Sequence, residues 1–134
     1  MEYKKSYKGL TVWMILFLAA VFAIPFIPGA NAAQMTRLTV AATLWGCFAL
    51  MAVILVTEQV CWINGVTFEQ ARDAGSERRK AFAWAHVKRF GWAGLIGTAV
   101  MLVAYLLGWP FWIDMTVCFA LLIAAALSCI GVKL

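Results

Sequence analysis

Long apolar runs separated by short polar segments form the dominant pattern of this chain. Four runs of 18 to 20 residues contain no Asp, Glu, Lys, Arg or His. An α-helix rises about 1.5 Å per residue, so each run would extend roughly 27–30 Å as a helix, which matches the hydrocarbon core of a bilayer. The four runs are Leu10–Ile27, Leu38–Thr57, Gly91–Trp109 and Met115–Val132.

These runs favour helices over strands. Backbone groups in lipid must be hydrogen-bonded internally, which leaves helices or closed barrels, and barrel strands alternate between apolar and polar residues. Residues 49–56 are apolar without alternation. The hydrophobic fraction is 65% and the mean hydropathy is +0.89, whereas soluble domains are about 45–50% apolar. We therefore predict an all-α integral membrane protein, a four-transmembrane-helix bundle with residues 1–134 as one domain.

The distribution of charge predicts an orientation. The net charge is +5, and ten of the eleven Lys and Arg residues fall on one side of a four-span protein. The positive-inside rule makes that side the cytoplasm, with both termini inside. The size and compactness of the chain favour a bacterial inner membrane. The ten cations are Lys4, Lys5, Lys8, Arg72, Arg78, Arg79, Lys80, Lys88, Arg89 and Lys133.

Residues 1–33 allow a second interpretation, as a secretory signal. They combine three lysines, an apolar run and an A-x-A pattern at Ala30-Asn31-Ala32. The apolar run has 18 residues, however, and the apolar region of a signal peptide has about 7–15. We favour a retained first span. Cleavage would leave three spans, with the segment 59–90 still inside.

The segment from about 59 to 90 is too long for a simple turn and is expected to be a short interfacial or cytoplasmic helical region. Thr67 and Gln70 form a capping-box pattern, which predicts a short helix through Ala74. Ser76 is expected to cap a second helix that leads into span 3, with Gly91 as a candidate hinge.

Small residues at helical spacing on spans 3 and 4 are the strongest specific signal. Such residues let membrane helices approach closely. One interpretation is that the two stripes face each other inside the hairpin of spans 3 and 4. The other is that one stripe is a self-association surface. The residues are Ala93, Gly97, Ala104 and Gly108 on span 3, and Ala120, Ala124, Ser128 and Gly131 on span 4.

Ionisable groups occur only at the edges of the spans, which argues against ion-coupled transporters, because these need a charge at membrane depth. Arg37, Glu58 and Asp114 are expected to anchor the span ends. Arg37 and Asp114 lie on the same side, where they could form a largely solvated pair worth about 0–1 kcal/mol.

The basic segment between spans 2 and 3 is expected to contact anionic lipid headgroups or to dock a cytoplasmic partner, and nucleic acid is not an expected ligand. Its acidic residues Glu69, Asp73 and Glu77 dilute the positive patch. The candidate contacts are Arg78, Arg79, Lys80, Lys88 and Arg89.

The chain offers little chemistry for catalysis. His86 is the only histidine, and the four cysteines have no C-x-x-C spacing, so we predict no catalytic, metal or cofactor site. The function we predict is helix–helix association, either self-assembly or service as an accessory subunit of a membrane complex. One alternative is a channel or uniporter with a pore between copies, lined by Thr39, Thr43, Thr98, Tyr105 and Ser128. A less favoured alternative is a lipid-modifying enzyme that would use Glu58, His86 and Arg89.

Overall fold

The fold is known from a computed structural model that describes residues 2–134. Within that range the chain forms five α-helices and two short 3-10 turns, and it contains no β-strand. Four of the helices are long and apolar enough to cross a membrane, with mean hydropathies of 1.4 to 2.3. The all-helical fold with four such helices is therefore confirmed. The α-helices are α1 Lys8–Ala23, α2 Ala32–Thr57, α3 Phe68–Asp73, α4 Gly75–Leu106 and α5 Phe111–Ile130.

Helix α2 is the centre of the bundle. It packs most extensively against α4, and it also contacts α1 and α5. Helices α4 and α5 form an antiparallel hairpin, closed by a turn in which Gly108 has a φ of +66°. Helix α1 packs on α2 alone among the long helices and contains no buried residue. The main core therefore lies between α2, α4 and α5, around Leu44, Phe90 and Cys118.

The start of α2 differs from the predicted run. The helix begins at Ala32 rather than Leu38, because Asn31 caps it. The Asn31 side chain accepts a hydrogen bond from the Gln34 amide (2.9 Å), and the Gln34 side chain accepts one from the Asn31 amide (3.0 Å). This reciprocal pair satisfies two amides that a helix otherwise leaves unpaired. The charge on Arg37 interrupts the apolar run without interrupting the helix.

The segment between α2 and α4 is partly as predicted. The capping box of Thr67 and Gln70 is present, and it starts α3. Ser76 is not a helix cap, because its hydroxyl donates instead to Glu58 Oε1 at 2.8 Å. Helix α4 then runs without interruption for 32 residues, and its backbone stays helical at Gly91. The second predicted helix and span 3 are therefore one element.

The structure does not place the two small-residue stripes against each other. On α4, Ala93, Gly97 and Ala104 are buried, while Gly108 belongs to the turn. On α5 the buried residues are instead Asp114, Met115, Cys118 and Ala125. The contact between Asp114 and Arg37 turns this other face of α5 toward the bundle. The α5 stripe is exposed along its whole length, at Ala120, Ala124, Ser128 and Gly131.

Replacement of Gly97 by leucine should destabilise the single bundle. A Cβ atom on Gly97 would lie 2.7 Å from Leu44 Cδ1, and Leu44 is itself 1% exposed. Overpacking of this kind costs about 1–3 kcal/mol. Thermal unfolding of the detergent-solubilised chain should show a lower midpoint for Gly97→Leu. Ala126→Leu is the control, because Ala126 is exposed. Equal midpoints for the two variants would contradict this packing.

Candidate functional site

Glu58 begins the best-connected polar cluster of the molecule. It follows the last residue of α2 and has a φ of 57°, the only positive φ at a non-glycine position among residues 2–134. The left-handed conformation costs about 1–2 kcal/mol for an ordinary residue. It ends α2 sharply, and the Glu58 carboxylate meets the first turns of α4.

Arg79 binds that carboxylate with two nitrogens. Its Nε lies 3.0 Å and its Nη2 lies 2.8 Å from Glu58 Oε2. Nη1 donates to the Ala71 carbonyl of α3 at 3.0 Å, so three helices meet on one guanidinium. Lys80 adds a longer contact of 3.5 Å to Glu58 Oε1. Arg79 is 8% exposed and the Glu58 side chain is 21% exposed, so the pair is largely shielded from water.

The segment before α1 covers this ion pair. The Tyr3 ring lies 4.3 Å from the Arg79 guanidinium and stacks on Phe68 with a centroid distance of 5.3 Å. The Tyr3 hydroxyl donates to the Glu58 carbonyl at 3.1 Å. A cation over an aromatic face is attracted by the ring electrons, and more strongly when water is excluded. Tyr3 therefore stabilises the charge on Arg79.

Gln59 and Trp62 also bind the segment that precedes α1. The buried Gln59 side chain accepts a hydrogen bond from the Ser6 amide (3.1 Å) and donates to the Lys4 carbonyl (2.9 Å). Trp62 Nε1 donates to the Ser6 carbonyl at 3.1 Å. These side chains bind backbone groups of Lys4 and Ser6. Residues 3–6 are thereby held across the Glu58 end of the bundle, and we call them the strap.

The surroundings at this end shift the pKa values of Glu58 and Tyr3 in opposite directions. Burial opposes ionisation of Glu58, but hydrogen bonds from Ser76 and Arg79, together with the Arg79 charge, lower its pKa below the ordinary value. Burial and the neighbouring Cys61 thiol raise the pKa of the Tyr3 hydroxyl. Tyr3 remains neutral and Glu58 remains charged around neutral pH, as the observed contacts require.

The opposite end of the bundle holds a second ion pair. Arg37 Nε lies 2.7 Å from Asp114 Oδ2, and Nη2 lies 3.2 Å from Asp114 Oδ1. Arg37 Nη2 also donates to the Trp109 carbonyl at 3.1 Å. The sequence led us to expect a solvated pair, but the Asp114 side chain is 0% exposed and that of Arg37 is 15% exposed. This pair fastens α2 to the start of α5 and to the turn before it.

A cavity of about 840 Å³ opens at the Glu58 end. The turn after α2, the end of α3, the first turns of α4 and the end of α5 enclose it. Arg78, His86 and Lys133 supply nitrogen groups to its lining, while Phe82 and Ile130 supply apolar surface. The cavity thus combines charged, hydrogen-bonding and apolar groups in one volume.

The structure divides the basic residues that were grouped in the sequence. Arg79 is buried against Glu58, and Lys80 reaches the same carboxylate. Arg78 lines the cavity. Lys88 is exposed on α4, and Arg89 Nη1 donates to the Ala85 carbonyl of its own helix at 2.9 Å.

The residues considered for catalysis are Glu58, His86 and Arg89. Within residues 2–134 they form no hydrogen bond with one another. Glu58 is bound by Arg79, and Arg89 is bound to its own helix. His86 Nδ1 lies 2.9 Å from the Phe82 carbonyl. No group of three or more His, Cys, Asp or Glu side chains within this range could hold a metal ion.

Comparison with known protein families, curated proteins and solved structures found no match to this chain.

Sequence reasoning missed the strap and its role. Nothing in the pattern near Tyr3 indicates that it would cover Arg79, because the two residues are far apart in the chain. The one available signal is that Arg79 lies a short loop and helix after Glu58, within reach of a helix-end carboxylate.

The stability of the fold should fall in acid through Glu58. Its lowered pKa means that the ion pair contributes fully above the ordinary glutamate pKa, and that this contribution is lost as the pH falls through the lowered value. Thermal unfolding from pH 7 to pH 3 should show a smaller acid loss in Glu58→Gln than in the parent chain. Glu77→Gln is the control, because Glu77 is exposed on α4 and forms no ion pair with a described residue. An unchanged acid loss in Glu58→Gln would disprove the role of this carboxylate.

Replacement of Arg37 alone should destabilise the fold more than replacement of both Arg37 and Asp114. Arg37→Met leaves Asp114 buried and charged, which costs about 3–5 kcal/mol. Arg37→Met with Asp114→Asn removes the charge that would be stranded, so the double variant should be more stable than Arg37→Met alone. Urea unfolding in detergent measures this difference. A double variant no more stable than Arg37→Met alone would show that the pair is not coupled.

Proposed function

We propose that this chain is an integral membrane protein that works by association, and that copies of it assemble through the exposed small-residue face of α5. The membrane location is supported by four apolar helices of spanning length. Large apolar side chains are exposed on α1, α4 and α5, and such surface is stable only in contact with lipid or with another apolar surface. The distribution of basic residues supports a cytoplasmic position for the Glu58 end and both termini.

The exposed stripe on α5 is the observation that carries the proposal of association. Ala120, Ala124 and Ser128 recur every fourth residue, so they lie on one face, and Gly131 continues it. Each of the first three follows a large exposed residue, namely Phe119, Ile123 or Leu127. A shallow groove of small side chains therefore lies beside a ridge of large ones. Lipid gives no hydrophobic driving force between helices, so close packing of such faces is what favours their association.

The geometry supports association better than a pore. Thr39 and Thr43 donate to carbonyls of their own helix at 2.9 Å each, and Thr98 accepts a hydrogen bond from Trp45 Nε1 at 2.9 Å. Their hydroxyl groups already have partners within the bundle. Ser128 likewise donates to the Ala125 carbonyl at 2.8 Å, so the α5 stripe can enter an apolar interface without an unpaired donor.

Self-association can be tested with a matched pair of α5 variants. Ala124→Leu fills the groove, while Ala126→Leu makes the same change at another exposed position, away from the stripe. Crosslinking in liposomes across a range of protein-to-lipid ratios should show dimers or larger closed assemblies for the parent chain and for Ala126→Leu. Ala124→Leu should weaken self-association by about tenfold, which corresponds to about 1.4 kcal/mol, because it removes close packing of the small-residue face. Monomers at every ratio in the parent chain, or an equal effect of both variants, would refute the proposal.

A further inference from the structure

The cavity at the Glu58 end has the size of a ligand site. Its volume is about 840 Å³, and pockets that bind small ligands span about 300–1,000 Å³. Its walls come from four separate parts of the chain, from the turn at residues 63–66 to the segment after α5. It lies at the end of the bundle where α2 and α5 terminate, which is headgroup level in the proposed membrane orientation.

Two cations line this cavity without an ion-pair partner. Arg78 and Lys133 form no salt bridge with any residue from 2 to 134. Asp73 also lines the cavity, but Arg72 binds its carboxylate at 2.9 Å. The neighbouring cations Arg79 and Lys80 are occupied by Glu58. The lining therefore offers Arg78 and Lys133 as unpaired cations to an anion.

His86 supplies a hydrogen-bond acceptor to the lining of the same cavity. Its side chain lines the cavity although the residue is only 2% exposed. Nδ1 lies 2.9 Å from the Phe82 carbonyl, and since a carbonyl oxygen can only accept, Nδ1 carries the proton. In the neutral ring Nε2 then has a free lone pair. Nε2 makes no hydrogen bond to residues 2–134. No fully buried side-chain nitrogen in that range lacks a partner, so Nε2 has some accessible surface, and His86 is one of the residues that line the cavity.

These groups together describe the ligand. An anion would contact Arg78 and Lys133, and a hydroxyl donor would contact His86 Nε2. Phe82, Ile130 and Val132 add apolar walls that suit the glycerol ester region and the first methylenes of an acyl chain. We propose that the cavity binds the headgroup of an anionic phospholipid of the phosphoglycerol type, with the phosphate against the cations and a headgroup hydroxyl donating to His86. This site rests on the proposed membrane location but not on self-association.

Native mass spectrometry of the full chain, stripped of lipid in a non-phospholipid detergent, tests the hydroxyl and the phosphate separately. Phosphatidylglycerol and phosphatidylethanol carry the same charge, but only the first has headgroup hydroxyls. Phosphatidylglycerol should bind at least fivefold more tightly. His86→Phe should remove that preference, and retained preference in a folded His86→Phe variant would overturn the role of this residue.

The contribution of the cations to binding is tested by substitution of Lys133, with the exposed Lys88 as the matched control. Lys133→Gln should weaken binding of phosphatidylglycerol about fivefold, the effect of one cation near a lipid phosphate, and Arg78→Gln should do the same. Lys88→Gln, at an exposed position outside the cavity, is the control and should change little. All three positions are exposed, so the variants should fold. Equal affinity in Lys133→Gln and Lys88→Gln would overturn the site.

Two further measurements distinguish a lipid ligand from a soluble phosphate and lipid binding from self-association. Soluble glycerol 3-phosphate should bind far more weakly than the lipid, and equal affinity would overturn the assignment to a lipid. Ala124→Leu should keep its affinity for phosphatidylglycerol even where it loses self-association. Loss of both properties in that variant would overturn the independence of the two sites.

Discussion

The ion pair between Arg79 and Glu58 is the interaction on which the arrangement of this bundle depends. Apolar attraction in the middle of the helices is non-directional, whereas a guanidinium that binds with two nitrogens fixes the direction of its contact. Arg79 joins the end of α2, the carbonyl end of α3 and the first turns of α4. The left-handed turn at Glu58 is stable because these contacts outweigh its backbone cost.

The second pair, Arg37 with Asp114, has the same effect at the other end. The two pairs lie at opposite ends of α2, so they determine its register against both α4 and α5. The core between them is made of apolar and small residues, among them Gly97, which lets Leu44 approach the α4 backbone. Directional contacts at the ends and close packing between them thus act on the same three helices. Arg78 is left outside this framework, which is why it is available to the cavity.

Most of the helical layout could be read from the sequence, because apolar runs of spanning length are a strong signal. The capping box of Thr67 and Gln70 was also readable, since it depends only on local spacing. The face of α5 that packs inward was not readable. Small residues fit either a neighbouring helix or another copy, and the choice was made by Asp114, whose partner is 77 positions away. The contact between the Tyr3 ring and Arg79 also joins residues that are far apart in the chain, and no sequence pattern around Tyr3 predicts it.

Helix α1 lies at the periphery of the bundle, where it packs on α2 and has no buried residue. Both clusters of buried apolar residues are built without any residue of α1. Helix α1 approaches α2 closely at Gly46, which has no side chain. Trp13 Nε1 donates a hydrogen bond to the Gly46 carbonyl at 3.0 Å, and the Phe17 ring lies over the same glycine. The core of α2, α4 and α5 is therefore complete without α1. Detachment of α1 together with residues 3–6 would leave that core intact but would expose the ion pair of Arg79 and Glu58 to water.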